Sequence, residues 1–145
     1  MIDLDILTDA ERDALNEVLL APQAVGRVLV VDDDADSREL LAEILGLHGI
    51  SCLTADNPQT GFDLLMTNRG ISVLVTDLRM GPDDGLDLIR RVRESERAAL
   101  PIIIVSGNAG VRDAIEAMHL SVVDFLLKPI DVNQLIALVR KELNV

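Results

Sequence analysis

Aromatic residues are scarce in this chain of 145 residues, which has two phenylalanines and neither tryptophan nor tyrosine. Its core must therefore be aliphatic, and a hydrophobic fraction of 49% is sufficient for one domain. The single cysteine, Cys52, excludes an internal disulfide and a zinc site with several cysteines. Its apolar neighbours predict that Cys52 is a small buried hydrophobic residue.

Positive charge and long apolar runs are lacking as well. Thirteen basic residues against 25 acidic ones give a net charge of −12. This balance argues against direct binding to DNA or to an anionic membrane, because both depend on lysine and arginine at phosphate groups. No run approaches 18 apolar residues, and the first residues are acidic where a signal peptide is basic. We therefore expect a cytoplasmic protein.

Residues 1–26 differ in composition from the rest of the chain. Six of the first twenty residues are acidic, and Arg12 is the one base among them. Thr8 and Glu11 form a capping box that predicts a helix through about Leu20, followed by a linker over residues 21–26. This helix carries an apolar stripe at helical spacing: Leu7, Leu15, Val18 and Leu19. Two interpretations stay open, namely packing on its own domain and association with a partner or a second copy.

From Arg27 onward, strands and helices alternate, which predicts a single domain over residues 27–145. The predicted strands are Val28–Val31, Ser51–Thr54, Ser72–Thr76, Ile102–Val105 and Val122–Leu127. The predicted helices are Ala35–His48, 58–69, Gly85–Glu96, about 108–120 and Val132–Leu143. Five residues of the first helix are predicted to face the core: Leu40, Leu41, Ile44, Leu45 and Leu47. The alternation specifies an α/β fold with a doubly wound parallel sheet, and right-handed crossovers leave few ways to wind it. Among these we favour the flavodoxin-like strand order 2-1-3-4-5.

Polar side chains stand at the ends of four of these strands. The first strand is followed by Asp32, Asp33 and Asp34, the third by Asp77, the fourth by Ser106 and the fifth by Lys128. In the order 2-1-3-4-5 the first and third strands are neighbours, so these ends open on one crevice. Carboxylates crowded at about 4–6 Å repel one another, and a bound cation stabilises such a cluster near neutral pH. Oxygen ligands without a dedicated cage favour Mg²⁺ over Ca²⁺.

A magnesium ion beside a carboxylate, with a lysine and a hydroxyl opposite, is suited to moving a phosphoryl group onto that carboxylate. Asp77 is the candidate acceptor, and we favour functional roles for Asp32 and Asp33. Other polar residues have simpler explanations. Asp34 and Asp36 are interpreted as helix N-terminal acids, His48 and His119 as structural, and the arginines 90, 91, 93 and 97 as a solvated face.

Four motifs in order resemble the receiver domain of two-component response regulators over roughly residues 27–145. They are Val30-Val31-Asp32-Asp33-Asp34, Val75-Thr76-Asp77-Leu78-Arg79-Met80 with Asp84-Gly85, Ile104-Val105-Ser106-Gly107 and Asp124-Phe125-Leu126-Leu127-Lys128-Pro129. The resemblance implies that Asp77 is the phosphoacceptor. It further implies that Asp33, Asp77 and the backbone carbonyl of Arg79 bind Mg²⁺, with Asp32 acting through water or as a weaker ligand.

The resemblance also assigns the remaining residues of the site. Ser106 and Lys128 would contact the phosphoryl group, Phe125 would be an aromatic switch, and the peptide bond between Lys128 and Pro129 would be cis. The donor would be a phosphohistidine on a sensor kinase or phosphotransfer protein, and the response would alter the surface of the fourth helix, fifth strand and fifth helix. Such a domain is a signalling module that assists only its own phosphorylation and dephosphorylation. The sequence leaves the downstream target and homodimerisation open.

The chain departs from the family pattern at three places. The loop after the acceptor strand reads Gly81-Pro82, whereas the family more often has proline before glycine. Arg79 and Asn108 occupy variable positions that in the family tune dephosphorylation, so we predict that they set the lifetime of the phosphorylated state. The segment 120–122 lacks the glycine expected before the fifth strand, which could stiffen that connection.

Three other functions were compared with this interpretation. A magnesium-dependent phosphatase with an aspartyl intermediate usually has a second acid two residues after the nucleophile, where this chain has Arg79. A flavodoxin-like or dinucleotide-binding module needs a phosphate-cradling loop, yet the first strand leads into acids and no G-x-G-x-x-G is present. An unphosphorylated docking module on the same fold stays as an alternative.

Overall fold

A five-stranded parallel sheet forms the centre of the protein. The computed structural model describes residues 27–80, 83–107 and 110–145, so the predicted N-terminal helix and linker lie outside the described residues. The strands of the sheet are β1 (Arg27–Val31), β2 (Cys52–Ala55), β3 (Ile71–Thr76), β4 (Ile102–Ser106) and β5 (Asp124–Leu127). Their order is β2-β1-β3-β4-β5 with parallel neighbours, which confirms the predicted fold class.

Five helices connect and follow these strands. They are α1 (Ala35–Leu47), α2 (Pro58–Thr67), α3 (Gly85–Arg93), α4 (Val111–His119) and α5 (Val132–Leu143). Between β3 and α3, Arg79–Met80 and Asp83–Asp84 pair as a short antiparallel hairpin that the sequence did not predict. The ten elements predicted over residues 27–145 are all present, but α2 and α3 end two or three residues earlier than predicted and β5 begins two residues later.

Alternate residues of the buried strands serve two separate hydrophobic layers. One layer contains Leu29, Leu74 and Ile104, and it packs against α2, α3 and α4. The other contains Val30, Val75 and residues of α1 and α5. Because helices cover both faces, the central strands are mainly apolar, and the polar side chains of the site stand at the strand ends.

Side-chain caps begin three of the helices where the sequence predicted them. The carboxylate of Asp34 accepts the Ser37 N–H at 3.0 Å, and the Asn57 side chain accepts the Thr60 N–H at 2.8 Å. Asp131 caps α5 through the N–H of Gln134. Asp34 is therefore a helix cap, and its hydrogen bonds with Ser37 lower the pKa of its carboxyl group.

Two of the five residues that were predicted to face the core from α1 do not. The side chains of Leu40 and Leu47 are 54% and 78% exposed, whereas Leu41 and Leu45 are buried. Leu40 and Leu47 are seven residues apart and share one helix face, which lies about 100° from the face that contacts the sheet. The apolar residues of α1 therefore cover a wider arc of the helix than the residues that are buried.

Cys52 is half-buried rather than fully buried, and burial raises the pKa of its thiol.

The interpretation of arginines 90, 91, 93 and 97 as a solvated face was wrong for Arg93 and Arg97. The half-buried guanidinium of Arg93 donates to the backbone carbonyls of residues 98, 100, 120 and 121. Arg97 donates to the carbonyls of residues 65, 68 and 71. These hydrogen bonds satisfy backbone carbonyl groups at the N-terminal edge of the sheet. Arg91 lies over the Phe62 ring at 4.0 Å, a cation–π contact.

Candidate functional site

The ends of β1 and β3 place three carboxylates side by side. Val31 and Thr76 are register partners, so the next residues, Asp32 and Asp77, leave the sheet together. The N–H of Asp77 donates to the Val31 carbonyl at 2.9 Å, which continues the ladder to the strand end. Carboxylate oxygens of Asp32, Asp33 and Asp77 all lie within 4.8 Å of one another. The crevice predicted from the strand order is therefore present.

Lys128 enters this cluster from the end of β5. Its Nζ lies 3.1 Å from Oδ2 of Asp32 and 3.4 Å from Oδ2 of Asp77. The Lys128 N–H donates to the Ser106 carbonyl at 2.9 Å, which fixes the backbone beside β4. The following peptide bond to Pro129 is cis, as the resemblance implied. A lysine that was 51 residues away along the chain thus touches the candidate acceptor.

Ser37 is a member of this cluster that sequence reasoning missed. Its hydroxyl lies 3.2 Å from Nζ of Lys128, and the lysine donates the hydrogen bond. A serine in the first turn of an amphipathic helix is usually solvated, so its position carried no distinguishing signal. Only the packing of α1 against the end of β5 reveals the contact.

The Asp77 carboxylate is held by backbone groups on one side and by the lysine on the other. Its Oδ1 accepts the N–H of Leu78 at 2.6 Å and the N–H of Arg79 at 3.3 Å. Its Oδ2 faces Nζ of Lys128. Because hydrogen bonds orient both oxygens, the carboxylate has a defined direction before any ligand binds.

Burial and the lysine act in opposite directions on Asp32. The side chain is buried, and burial raises the pKa of its carboxyl group despite hydrogen bonds from Asp34 and Lys128. Burial lowers the pKa of Lys128, but the nearby Asp32 and Asp77 outweigh it and raise that pKa. Lys128 therefore stays a cation at neutral pH, and its ammonium group contacts two of the three clustered carboxyl groups.

Gly85 is required by the close approach of the chain behind the acceptor. A Cβ atom at this position would lie 2.2 Å from the Asp77 carbonyl oxygen and 3.0 Å from Cα of Leu78. The Gly85 N–H donates to the Leu78 carbonyl at 2.9 Å. This contact closes the loop and explains why a glycine follows Asp84 in the motif.

The other predicted site residues lie around this centre. Ser106 is buried at the end of β4, next to the backbone of Lys128. Phe125 is half-buried on β5 and packs on the layer of α2, α3 and α4. The side chain of Arg79 turns toward α4, where its guanidinium lies 2.5 Å from the Asp113 carboxylate. Asn108 lies outside the described residues.

The carboxylate oxygens of this cluster are suitable ligands for a magnesium ion. Both oxygens of Asp32 already have protein donors, Asp34 N–H and Lys128 Nζ. Asp33 is exposed, and within residues 27–80, 83–107 and 110–145 no donor engages its carboxylate. Three clustered carboxylates against one lysine leave unbalanced negative charge, which suits a hard divalent cation with oxygen ligands.

Comparisons with known proteins agree with this architecture. The family model of the response regulator receiver domain matches residues 28–140. Regulatory protein VirG of Agrobacterium tumefaciens is 33% identical over 127 residues, covering 87% of this chain and 46% of VirG. Transcriptional regulatory protein FixJ of Bradyrhizobium diazoefficiens is 35% identical over 114 residues, covering 79% of this chain and 55% of FixJ. The chain thus spans about half the length of these curated relatives.

Solved structures show the same likeness. A response regulator receiver protein from Pseudomonas putida matches with a TM-score of 0.79 and 50% identity, covering 81% of this chain and 97% of that one. A receiver domain protein from Clostridium thermocellum matches with a TM-score of 0.77 and 26% identity, over 83% of this chain and 95% of that one. No helix in the described residues is long and apolar enough to cross a membrane. From the family match, the fold and the relatives together, the chain belongs to the response regulator receiver domain family.

Proposed function

We propose that Asp77 accepts a phosphoryl group from a phosphohistidine on a sensor kinase or phosphotransfer protein. One observation carries the proposal: the Asp77 carboxylate lies between backbone N–H groups and Lys128, beside the carboxylates of Asp32 and Asp33. A carboxylate oxygen of Asp77 would form the new O–P bond while the P–N bond of the donor breaks. The imidazole is the leaving group, and the product is an acyl phosphate.

Asp33, Asp77 and the backbone carbonyl of Arg79 would hold Mg²⁺, with Asp32 acting through a bound water. The ion would supply positive charge to the oxygens of the transferring group. Asp32 suits an indirect role because its side chain is more deeply buried than that of Asp77 and both of its oxygens already accept hydrogen bonds from the protein. Asp33 suits direct ligation because it is exposed beside both other carboxylates.

Lys128 and Ser106 would bind the phosphoryl oxygens from the side of β4 and β5. The ammonium group of Lys128, which contacts Asp77, would also bind the phosphoryl oxygens, because they bring additional negative charge to the same position. The hydroxyl of Ser106 would donate a hydrogen bond. The Lys128 N–H donates to the Ser106 carbonyl, and this hydrogen bond holds the two residues side by side.

The phosphorylated state would signal through α4, β5 and α5. When Ser106 moves toward the acyl phosphate and Phe125 turns inward, the population shifts to a second packing of this surface. Apolar side chains are exposed there, namely Val111, Ile115 and Met118 on α4 and Leu127 on β5. They supply a surface for a downstream protein or output domain, in keeping with the regulatory functions named for the relatives.

The proposal gives the chain two parts, an N-terminal segment over residues 1–26 and a receiver domain over residues 27–145. The receiver domain would act as a signalling module in the cytoplasm, where a kinase with access to ATP can phosphorylate its donor histidine. Direct contact with DNA is disfavoured by the net charge of −12.

Incubation of the whole chain with Mg²⁺ and acetyl phosphate tests the proposal. We expect the intact mass to rise by one phosphoryl group, and we expect Asp77→Asn to abolish the gain. A protein that gains no phosphoryl group under these conditions is an unphosphorylated docking module instead. Release of inorganic phosphate over many turnovers without accumulation of phosphorylated protein would favour the magnesium-dependent phosphatase.

A further inference from the structure

The ammonium group of Lys128 contacts oxygen atoms from three parts of the chain. Its Nζ lies 3.1 Å from Oδ2 of Asp32, 3.2 Å from Oγ of Ser37 and 3.4 Å from Oδ2 of Asp77. An ammonium group has three N–H donors. Each donor therefore has one acceptor, and two of the acceptors are carboxylates of the site. The third is the hydroxyl of Ser37, which has no part in the phosphoryl transfer described above.

Four hydrogen bonds join Ser37 and Lys128 to the start of α1 in a closed ring. The Asp34 N–H donates to Oδ1 of Asp32 at 2.9 Å, and the Ser37 N–H donates to Oδ2 of Asp34 at 3.0 Å. Lys128 completes the ring through its contacts with Asp32 and Ser37. Asp77 lies outside this ring. Two of the ammonium donors are thus held on the side of α1, and the third is directed at the candidate acceptor.

The backbone fixes the position of the Ser37 hydroxyl. Ser37 is in the first turn of α1, three residues after the N-cap Asp34, and its N–H is bonded to that cap. The guanidinium of Arg38 donates to the Asp32 carbonyl at 2.9 Å, which ties the same turn to the end of β1. Because the hydroxyl of a serine is placed by a single torsion angle, it has little freedom on this anchored turn.

We propose that Ser37 is a positioning residue that holds the ammonium group of Lys128 in place while its third donor binds the phosphoryl group on Asp77. This inference rests on the proposed function of Asp77. Once a phosphoryl group is attached, the donor that faces Asp77 is shared with the phosphoryl oxygens. Asp32 and Ser37 are then the two contacts that keep Nζ in position.

A neutral hydroxyl is suited to this role for an electrostatic reason. A further carboxylate at position 37 would add negative charge beside the site and repel the incoming phosphoryl group. An apolar side chain would remove one of the three acceptors of a half-buried ammonium group. A serine accepts the hydrogen bond without adding charge, so the cation keeps its attraction for the phosphoryl oxygens.

Phosphoryl uptake by the whole chain from acetyl phosphate and Mg²⁺ tests the role of Ser37. A small donor avoids any effect on contacts with a partner protein. We expect Ser37→Ala to take up the phosphoryl group about three- to tenfold more slowly than the wild type, since one hydrogen bond to a charged group is lost. Ser37→Thr retains a hydroxyl and should restore most of the rate. Equal rates in Ser37→Ala and the wild type would overturn the proposal.

Thr60→Ala is the matched control for Ser37→Ala. Thr60 occupies the same place in α2, three residues after the N-cap Asn57, and its hydroxyl accepts a hydrogen bond from the Asn57 side chain at 3.0 Å. Both substitutions remove a hydroxyl from the first turn of a helix and retain the backbone N–H that bonds to the cap. We expect Thr60→Ala to leave the rate unchanged. A loss equal to that of Ser37→Ala would assign the effect to helix ends in general and contradict the proposal.

A double-mutant cycle separates action through Lys128 from direct contact with the phosphoryl group. In the Lys128→Met background, Ser37→Ala should have no further effect on the rate of uptake, because the side chain that Ser37 positions is absent. The same loss in both backgrounds would show that Ser37 acts independently of the lysine, and the positioning role would be wrong.

A measurement without phosphoryl transfer separates this inference from the proposed function. The chain has two lysines, so isotope-labelled lysine gives one Cε signal from Lys128 and one from the exposed Lys141. In the unphosphorylated protein, the NMR order parameter of the Lys128 Cε should exceed that of Lys141 and fall toward it in Ser37→Ala. An unchanged order parameter contradicts positioning, whether or not Asp77 accepts a phosphoryl group. A wild type that takes up no phosphoryl group contradicts the proposed function, and the role of Ser37 in it is then also wrong.

Discussion

The two edges of the sheet both collect charged side chains, but they use the charge differently. At the N-terminal edge, Arg93 and Arg97 each donate to several backbone carbonyls. At the C-terminal edge, Asp32, Asp33 and Asp77 face a single lysine. Neutral carbonyls satisfy the arginines without leaving a reactive group. The carboxylates keep unbalanced charge, and this difference predicts that ligands bind at the C-terminal edge.

The largest expected effect comes from removing the cation of the C-terminal edge. Lys128→Met should slow phosphoryl uptake from acetyl phosphate about 10²–10³-fold, because a positioned donor to the developing charge is lost. Intact mass measured over time at a fixed Mg²⁺ concentration gives the rate. Lys141→Met is the control, since it removes an exposed lysine of α5. An unchanged rate in Lys128→Met would show that the lysine is structural.

Gly85→Ala disturbs the backbone at the C-terminal edge and leaves the N-terminal edge unchanged. The added Cβ meets the Asp77 carbonyl oxygen at 2.2 Å, so the loop must move. We expect the free energy of unfolding to fall by about 2–4 kcal/mol. Denaturant titration followed by circular dichroism measures it. Gly46→Ala in α1, where no atom lies within 4 Å of the new Cβ, should instead be neutral or stabilising.

Arg97→Met tests the N-terminal edge. It leaves carbonyls of residues 65, 68 and 71 without this donor, and we expect a loss of about 1–3 kcal/mol in the free energy of unfolding. Phosphoryl uptake by the folded variant should equal that of the wild type. Arg69→Met removes an exposed arginine that pairs with Glu96, and its effect should be below about 0.5 kcal/mol. A slower uptake in Arg97→Met would contradict the division between the edges.

The smallest effect is expected where the acceptor loop contacts α4. Arg79 lies 2.5 Å from Asp113, whose carboxylate also accepts the N–H of Gly110 at the start of the helix. Arg79→Ala and Asp113→Ala should each change the half-life of the aspartyl phosphate by about two- to fivefold, in the same direction. The double variant should resemble Asp113→Ala, because the contact with Arg79 is already lost in that single variant. Loss of phosphate from the labelled proteins gives the half-lives, and additive effects would show that the residues act separately.

The C-terminal edge shows which parts of the site could be predicted from the sequence. Strand ends carrying Asp32, Asp77, Ser106 and Lys128 predicted the crevice, because parallel strands deliver their ends to one edge. The sequence does not show which side chains come into contact in this crevice, so the contact of Ser37 with Lys128 was missed. Arg93 and Arg97 were taken for solvated residues since their carbonyl partners lie up to 32 residues away. The roles of the site residues, and of Arg79 and Asn108 in dephosphorylation, stay predictions.

The sequence by itself determined the alternation of elements, the strand order and the residues at the strand ends. The alternation depends on hydrophobic periodicity and on caps, which act over a few residues. The strand order follows from the few ways in which right-handed crossovers can connect such units. Only the tertiary structure decided which face of α1 is buried, that Gly85 passes within contact distance of Asp77, and that Lys128 binds two carboxylates at once. The reason is that contacts between distant segments depend on how whole elements pack, and no short stretch of sequence specifies that arrangement.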